Sequence, residues 1–182
     1  VSSTDTYGFS WVFKKAEAIG KKISTDSKVS VIGAGATARA AIYALDGLVA
    51  EIEVISRSAH REHALHQCVK KSSLSIKPWA ELSTAFSCGL IINTTPQETT
   101  DELVAAMKSA PARAGVLIDA IYAPAPRATL AQWRTFDLPV IDGVDLLIAQ
   151  ALPQISGMTG KDFDLNQMYD ILRREVDLHL AK

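Results

Sequence analysis

The sequence predicts an α/β fold, a doubly wound parallel sheet of six strands with flanking N- and C-terminal helices. Three observations carry that expectation. Short apolar runs at residues 29–32, 51–55, 74–77, 89–93, 115–119 and 139–141 alternate with segments of helical periodicity. The first run meets an alanine-rich helix through the glycine turn Gly33-Ala34-Gly35-Ala36-Thr37-Ala38. No repeat or low-complexity linker divides the 182 residues, so residues 1–182 are expected to form one domain with a proper core. The expected strand order is 3-2-1-4-5-6, with a ligand across the switch point.

Composition narrows the function. Residues are 48% hydrophobic and 21% charged, the balance of a soluble globular protein. A net charge of −1 gives no electrostatic case for nucleic acid or an anionic membrane. No apolar run reaches transmembrane length and no signal peptide opens the chain, which reads as cytoplasmic. Cys68 and Cys88 match no metal or redox spacing and read as reduced thiols. The chain starts with Val1 almost inside a helix, as a piece of something longer would.

Ser2-Ser3-Thr4-Asp5 is a helix-start cluster, followed at helical spacing by Phe9, Val12, Phe13, Ala16 and Ile19, with Gly20 as a stop. From this stretch alone, Thr4 and Asp5 are N-capping residues. In the glycine turn, Gly33 permits the tight bend, Gly35 leaves room for a pyrophosphate against the backbone, and Ala38 lets helix and strand pack closely. The free N–H groups and positive dipole end of the new helix, which runs to about Leu45, then hold phosphates. The alternative is a tight turn that binds nothing.

The second strand ends in Ser56-Arg57-Ser58-Ala59-His60-Arg61, the specificity position of a dinucleotide fold. An NAD site places Asp or Glu there to accept hydrogen bonds from the ribose hydroxyls. Arg57 and Arg61 instead suit a 2′-phosphate, which a guanidinium binds through paired hydrogen bonds. The position reads as NADP, against two solvated arginines at a helix start. Glu51 and Glu53 lie too early in the strand to serve as the ribose acid. His60, His63 and His66 share part of one helix face but lack a fourth zinc ligand, and read as solvated surface.

A short helix is expected over 81–86. Asn93-Thr94-Thr95-Pro96 breaks the fourth strand into a loop at the sheet edge where ligands bind, and Asp101 is expected to cap the next helix. The fifth strand runs into Asp119-Ala120-Ile121-Tyr122-Ala123-Pro124. Residues 129–136 read as a helix, and Gly143 opens another. In the last helix, 165–180, Leu165, Met168, Leu172 and Val176 share one face, with Ile171 and Leu178 outside it. That is more apolar surface than one interface needs.

Taken together, these segments resemble the shikimate dehydrogenase family, specifically its C-terminal, Rossmann-like NADP-binding domain. Ser3-Thr4-Asp5-Thr6-Tyr7-Gly8 is similar to the family's Asn-Thr-Asp-x-x-Gly, and Gly33 to Ala38 to its Gly-Ala-Gly-Gly loop. Ser56-Arg57-Ser58-x-x-Arg61 resembles Asn-Arg-Thr-x-x-Arg, and Asn93-Thr94-Thr95-Pro96 resembles Asn-x-Thr-Pro/Ser. Asp119-x-x-Tyr122-x-Pro124 with Thr129 following, and Gly143 through Gln150, match two further motifs, Asp-x-x-Tyr-x-Pro and Gly-x-x-Met-Leu-x-x-Gln. Ser3 stands in place of Asn, Ala36 in place of the loop's extra Gly, and Leu146 in place of Met.

The resemblance implies reversible NADP-dependent hydride transfer between 3-dehydroshikimate and shikimate. It makes Asp5 the catalytic acid/base partner of a Lys, replacing the local capping role. Gln150 would hydrogen-bond the substrate, with Tyr122 near both substrate and nicotinamide. Gly33, Ala34, Gly35, Ala36, Thr37, Ala38, Ser56, Arg57, Ser58 and Arg61 would hold the phosphates. Thr94, Thr95, Pro96, Ile121, Gly143 and Leu146 would complete the cofactor contacts, with no metal. The family's catalytic Lys sits in an N-terminal substrate domain whose Asn-x-Thr-x-Pro-x-Lys motif is absent here. The expectation is therefore a cofactor-binding half that turns over poorly or not at all alone. Residues 1–22 and 163–182, including Phe9 and Phe13, would pack toward that domain or a second subunit. The alternatives are a quinate/shikimate dehydrogenase and a non-catalytic nucleotide-binding module.

Overall fold

The computed structural model describes residues 3–19, 23–57, 61–122 and 127–180. Its strands are β1 (Lys28–Ile32), β2 (Glu51–Ser56), β3 (Ser73–Pro78), β4 (Leu90–Asn93), β5 (Val116–Asp119) and β6 (Val140–Ile141). They form one six-stranded sheet in the order β3-β2-β1-β4-β5-β6, the order the sequence predicts. Every neighbouring pair is parallel. Val29 faces Ile52 on one side and Leu90 on the other, so β1 is central. Strand order reverses between β1 and β4, which opens a crevice at their C-terminal ends, Ile32 and Asn93.

Helices cover both faces, which is why the strands read as near-continuous apolar runs. On one face Val29, Val31, Ile52, Val54, Leu90, Ile92, Val116 and Ile118 pack with α1 (Thr4–Ala18) and α2 (Ala36–Leu45). On the other, Ile32, Ile55, Ile91 and Leu117 meet a 3₁₀ segment, Trp79–Ser87, with α4 (Thr100–Ser109) and α5 (Ala128–Arg134). A short α3 (Glu62–His66) follows β2. Glu53 is buried on this second face, where Lys28 (2.7 Å) and Lys77 (3.0 Å) pair with it. Its work is structural, as its early place in β2 predicts.

Phe9 and Phe13 turn inward, into the chain's own core with Ala38, Ile42 and Leu146. Their side chains are therefore not a surface for an outside partner. α7 (Leu165–Leu180) lies on α6 (Gly143–Thr159) through Leu165, Met168, Leu172 and Val176, the face read from periodicity, with Ile171 and Leu178 exposed. A polar staple locks it there. Arg173 pairs with Asp142 (2.6 Å) and Asp145 (2.9 Å), Lys15 of α1 with Asp145 (2.9 Å), and Tyr169 donates to Asp145.

Burial pushes the Asp142 carboxyl up, but the Arg173 guanidinium outweighs it and holds the group below the usual carboxylate range. A lowered folded pKa gives stability that is present above the ordinary carboxylate value and lost as pH falls through the folded one. Acidification below about pH 4 is expected to release α7. Amide exchange of α7 followed from pH 6 downward checks this, and Arg173→Met removes the pH dependence.

Three local expectations are corrected. The segment read as a short helix at 81–86 is the 3₁₀ run Trp79–Ser87, which starts directly after Pro78. Asp101 does not cap α4. A 3₁₀ turn, Gln97–Thr99, leads straight into the helix, so Thr99 takes the cap position and Asp101 lies in the first turn. The helix read over 129–136 closes at Arg134, and α5 begins one residue earlier than read.

Candidate functional site

A cleft of about 160 Å³ opens at the C-terminal edge of the sheet, lined by Asp5, Phe9, Thr37, Ala120, Tyr122, Gly143, Leu146, Leu147 and Gln150. Four elements supply it: α1, the start of α2, the loop after β5, and α6. Close packing makes the convergence possible. A Cβ on Gly8 would lie 3.1 Å from Gln150 Cβ and 3.1 Å from Leu146 Cδ1, so a glycine in α1 lets that helix seat on α6. A Cβ on Gly143 would lie 2.4 Å from the carbonyl carbon of Ile121 and 2.6 Å from the Tyr122 nitrogen. Gly143 thus holds the loop after β5 against the start of α6.

Asp5 is the second residue of α1, and Ser3 takes the cap position without a side-chain capping bond. Among the described residues, no hydrogen bond or ion pair engages the Asp5 carboxylate, and Asp5 lines the cleft. Tyr122 is exposed at the cleft's mouth and Leu146 is buried beneath it. No lysine lines this cleft among the described residues. Lys15 is consumed instead by Asp145 and Tyr169.

Thr37 connects the cleft to the glycine turn. Gly33 sits at φ +112°, a conformation L side chains rarely adopt, and its position abuts Thr94 Oγ1. Its N–H donates to Ile55 O (2.9 Å), which ties the turn to β2. Gly35 takes the cap position of α2 with no side-chain capping bond. Ala38 is fully buried against the sheet and Ala34 nearly so, with Ala36 opening the helix between them. Among the described residues, a Cβ on Gly35 would meet only Arg61 Nη1, at 3.9 Å. The protein's own packing does not require glycine there, and open space faces the helix amides.

The two arginines diverge. Arg61 overhangs the glycine turn. Arg57 points toward α4, where its Nη2 donates to Glu102 Oε1 (2.5 Å) and its guanidinium lies 4.4 Å over the Trp79 ring. Trp79 Nε1 donates to the other Glu102 oxygen (2.5 Å). Ser56 is buried at the end of β2. Ser58 lies outside the described residues.

At the edge beside the cleft, one buried carboxylate organises two loops. Asp119 accepts from Asn93 Nδ2 (3.1 Å), the Ile121 N–H (3.2 Å), Arg127 Nε (3.3 Å) and Thr129 Oγ1. Thr95 Oγ1 donates to Asn93 Oδ1 (2.6 Å) and also contacts Thr99 Oγ1 (2.7 Å). Thr94 Oγ1 donates to Ile32 O (2.8 Å). The hydroxyls of Thr94 and Thr95 are spent on the loop itself, and Pro96 is the exposed member of that run.

Sequence reasoning singled out Asp119 and Thr129 but missed Arg127, Trp79 and Glu102. Cys68 and Cys88 are free thiols, and burial pushes Cys88 up to about 11. Among the described residues no cluster of His, Cys, Asp and Glu could hold a metal, and no helix is long and apolar enough to cross a membrane.

No protein-family model matches the chain. Individual relatives do. It is 30% identical over 166 residues to the shikimate dehydrogenase (NADP(+)) of Paramagnetospirillum magneticum, covering 87% of this chain and 58% of that protein. It is 32% identical over 140 residues to the shikimate dehydrogenase (NADP(+)) of Rhizobium rhizogenes, covering 75% of this chain and 48% of that one. The chain thus spans about half the length of the curated relatives it matches. In three dimensions it is similar to the Mycobacterium tuberculosis shikimate dehydrogenase, with a TM-score of 0.72, 26% identity, and coverage of 91% of this chain and 60% of that one. Sequence relatives and fold agree: over most of its length the chain is similar to about half of a shikimate dehydrogenase.

Proposed function

We propose that this chain is the nucleotide-binding half of an NADP-dependent shikimate dehydrogenase. The observation that carries the reading is the cleft in which Asp5, Tyr122 and Gln150 converge, from three separate elements, beside the uncapped start of α2. The open space above Gly35 fits the phosphates of a dinucleotide, which the first-turn amides of α2 would hold. Ala34, Ala36, Thr37 and Ala38 shape that turn, and Arg57, Arg61 and the Ser56–Ser58 corner would take the 2′-phosphate. Ile121, Gly143, Leu146 and the Thr94–Pro96 loop would flank the nicotinamide end. NADP(H) supplies the hydride acceptor or donor when bound.

The chain's own groups then orient the substrate and handle a proton. Gln150 offers both a donor and an acceptor to a polyhydroxylated ring. The Asp5 carboxylate accepts a hydrogen bond from the ring hydroxyl that becomes a carbonyl. As that hydroxyl is oxidised its proton passes to Asp5, with a Lys from the substrate domain as the second group at the reacting oxygen. Leu146 and Phe9 keep an apolar wall behind these polar groups. That domain would pack on the outward sides of α1 and α7 and carry most substrate contacts. The half-chain alone is expected to bind nucleotide with little turnover.

A fluorescence titration with NADPH and NADH tests the reading. NADPH is expected to bind the more tightly, with shikimate having little effect. In Arg57→Ala, NADPH affinity is expected to fall about tenfold or more, the worth of a charge-assisted hydrogen bond, with NADH nearly unchanged. Equal loss for both cofactors would remove the phosphate clamp. Shikimate-dependent NADPH formation after adding a substrate domain in trans would establish the activity. Nucleotide binding that never yields turnover would leave a non-catalytic module.

A further inference from the structure

The corner where β2 ends carries a negative charge that the last residues of β2 do not supply. A carboxylate at this corner favours a 2′-hydroxyl and opposes a 2′-phosphate, and the chain offers Ser56 at the end of β2 and Arg57 just after it instead. Yet α4 delivers one. Glu102, in the first turn of α4, places one oxygen 2.5 Å from Arg57 Nη2 and the other 2.5 Å from Trp79 Nε1. The indole N–H, and after it the guanidinium, hold the Glu102 carboxyl below the usual carboxylate range, so it is charged at neutral pH. Trp79 also bears on the guanidinium through its ring face, 4.4 Å away. The three side chains come from the residue just after β2, the 3₁₀ segment after β3, and α4, and they form one cluster on the expected path of the adenosine ribose.

We propose that Glu102 is a specificity-determining residue of the nucleotide site, which its carboxylate tunes away from strict NADP selectivity by competing with the 2′-phosphate for Arg57. The proposal rests on the nucleotide reading above. A phosphate that approaches Arg57 meets a cation already paired, with a second anion a few ångströms off. It must share the guanidinium through Nε and Nη1 or displace Glu102. Both groups of the pair are about half exposed, so the pair is weak and displaceable. A 2′-hydroxyl carries no charge to repel and gains an acceptor instead. Glu102 therefore weakens NADPH relative to NADH.

Glu102→Gln separates charge from shape, because the amide oxygen still accepts from the Trp79 indole. NADPH affinity is expected to rise about fivefold at low salt, with the gain shrinking as salt screens the repulsion. NADH affinity is expected to change less than twofold, or to weaken slightly. Calorimetric titration of wild type and variant with each cofactor reads this directly. An unchanged NADPH affinity, or equal gains for both cofactors, overturns the role of Glu102 and leaves the nucleotide reading standing. A wild-type chain that binds neither cofactor overturns both.

Discussion

Asp119→Ala is expected to lower the free energy of unfolding by about 3–5 kcal/mol, the usual cost of removing one partner from a buried ion pair. Asp119 is fully buried, and Arg127 is 5% exposed with its Nη2 3.2 Å from the carboxylate. Without Asp119 the guanidinium has no counter-charge in the network described, and the Asn93, Thr129 and Ile121 donors lose their shared acceptor. Each orphaned donor adds a desolvation cost. Urea denaturation measures the loss, and a shift below about 1 kcal/mol would show that water replaces the carboxylate. Nucleotide affinity should fall with it, because the loops after β4 and β5 are both tied to this one side chain.

Gly143→Ala is the second large effect, expected at about 3 kcal/mol, the upper part of the range for forcing atoms into a packed interior. The added methyl would collide with the backbone of Ile121 and Tyr122, which unlike a side-chain tip cannot swing away. Gly157, in the same helix, is the internal control. Among the described residues nothing lies within 4 Å of its Cβ position, so Gly157→Ala is expected to stabilise by about 0.5–1 kcal/mol through helix propensity alone. Thermal midpoints should move in opposite directions, by about 2–4 °C per kcal/mol for a chain of this size. A tolerated Gly143→Ala would mean that the loop after β5 has slack.

What was legible in the sequence shares a physical character. β1, β4 and β5 announced themselves because a strand buried on both faces needs an unbroken apolar run, and the apolar face of α7 because one helix interface imposes one period. The glycine turn was legible because its small residues serve a tight bend at Gly33 and close helix–strand packing at Ala38. What escaped depends on partners distant in sequence. Arg57 was visible as a cation, but Glu102 stands 45 residues beyond it, and Trp79 lies between the two, 23 residues before Glu102. The staple of α7 to Asp142 and Asp145 is likewise invisible to periodicity, which counts apolar residues only. Thr94 and Thr95 show the reverse difficulty. Their hydroxyls looked available, and the loop's own short-range bonds take them up.

The seat that Gly8 gives α1 on α6 has a consequence for how the cleft meets a ligand. Asp5 and Gln150 belong to helices interlocked along a buried seam, so their mutual placement is fixed once, when the chain folds. An incoming molecule encounters a finished wall rather than two loose side chains that it must collect. The entropy of bringing those groups together is lost during folding and takes nothing from the binding free energy. A bulkier residue at position 8 would therefore act at a distance. It would leave every polar group of the cleft in place chemically while loosening the frame that aligns them.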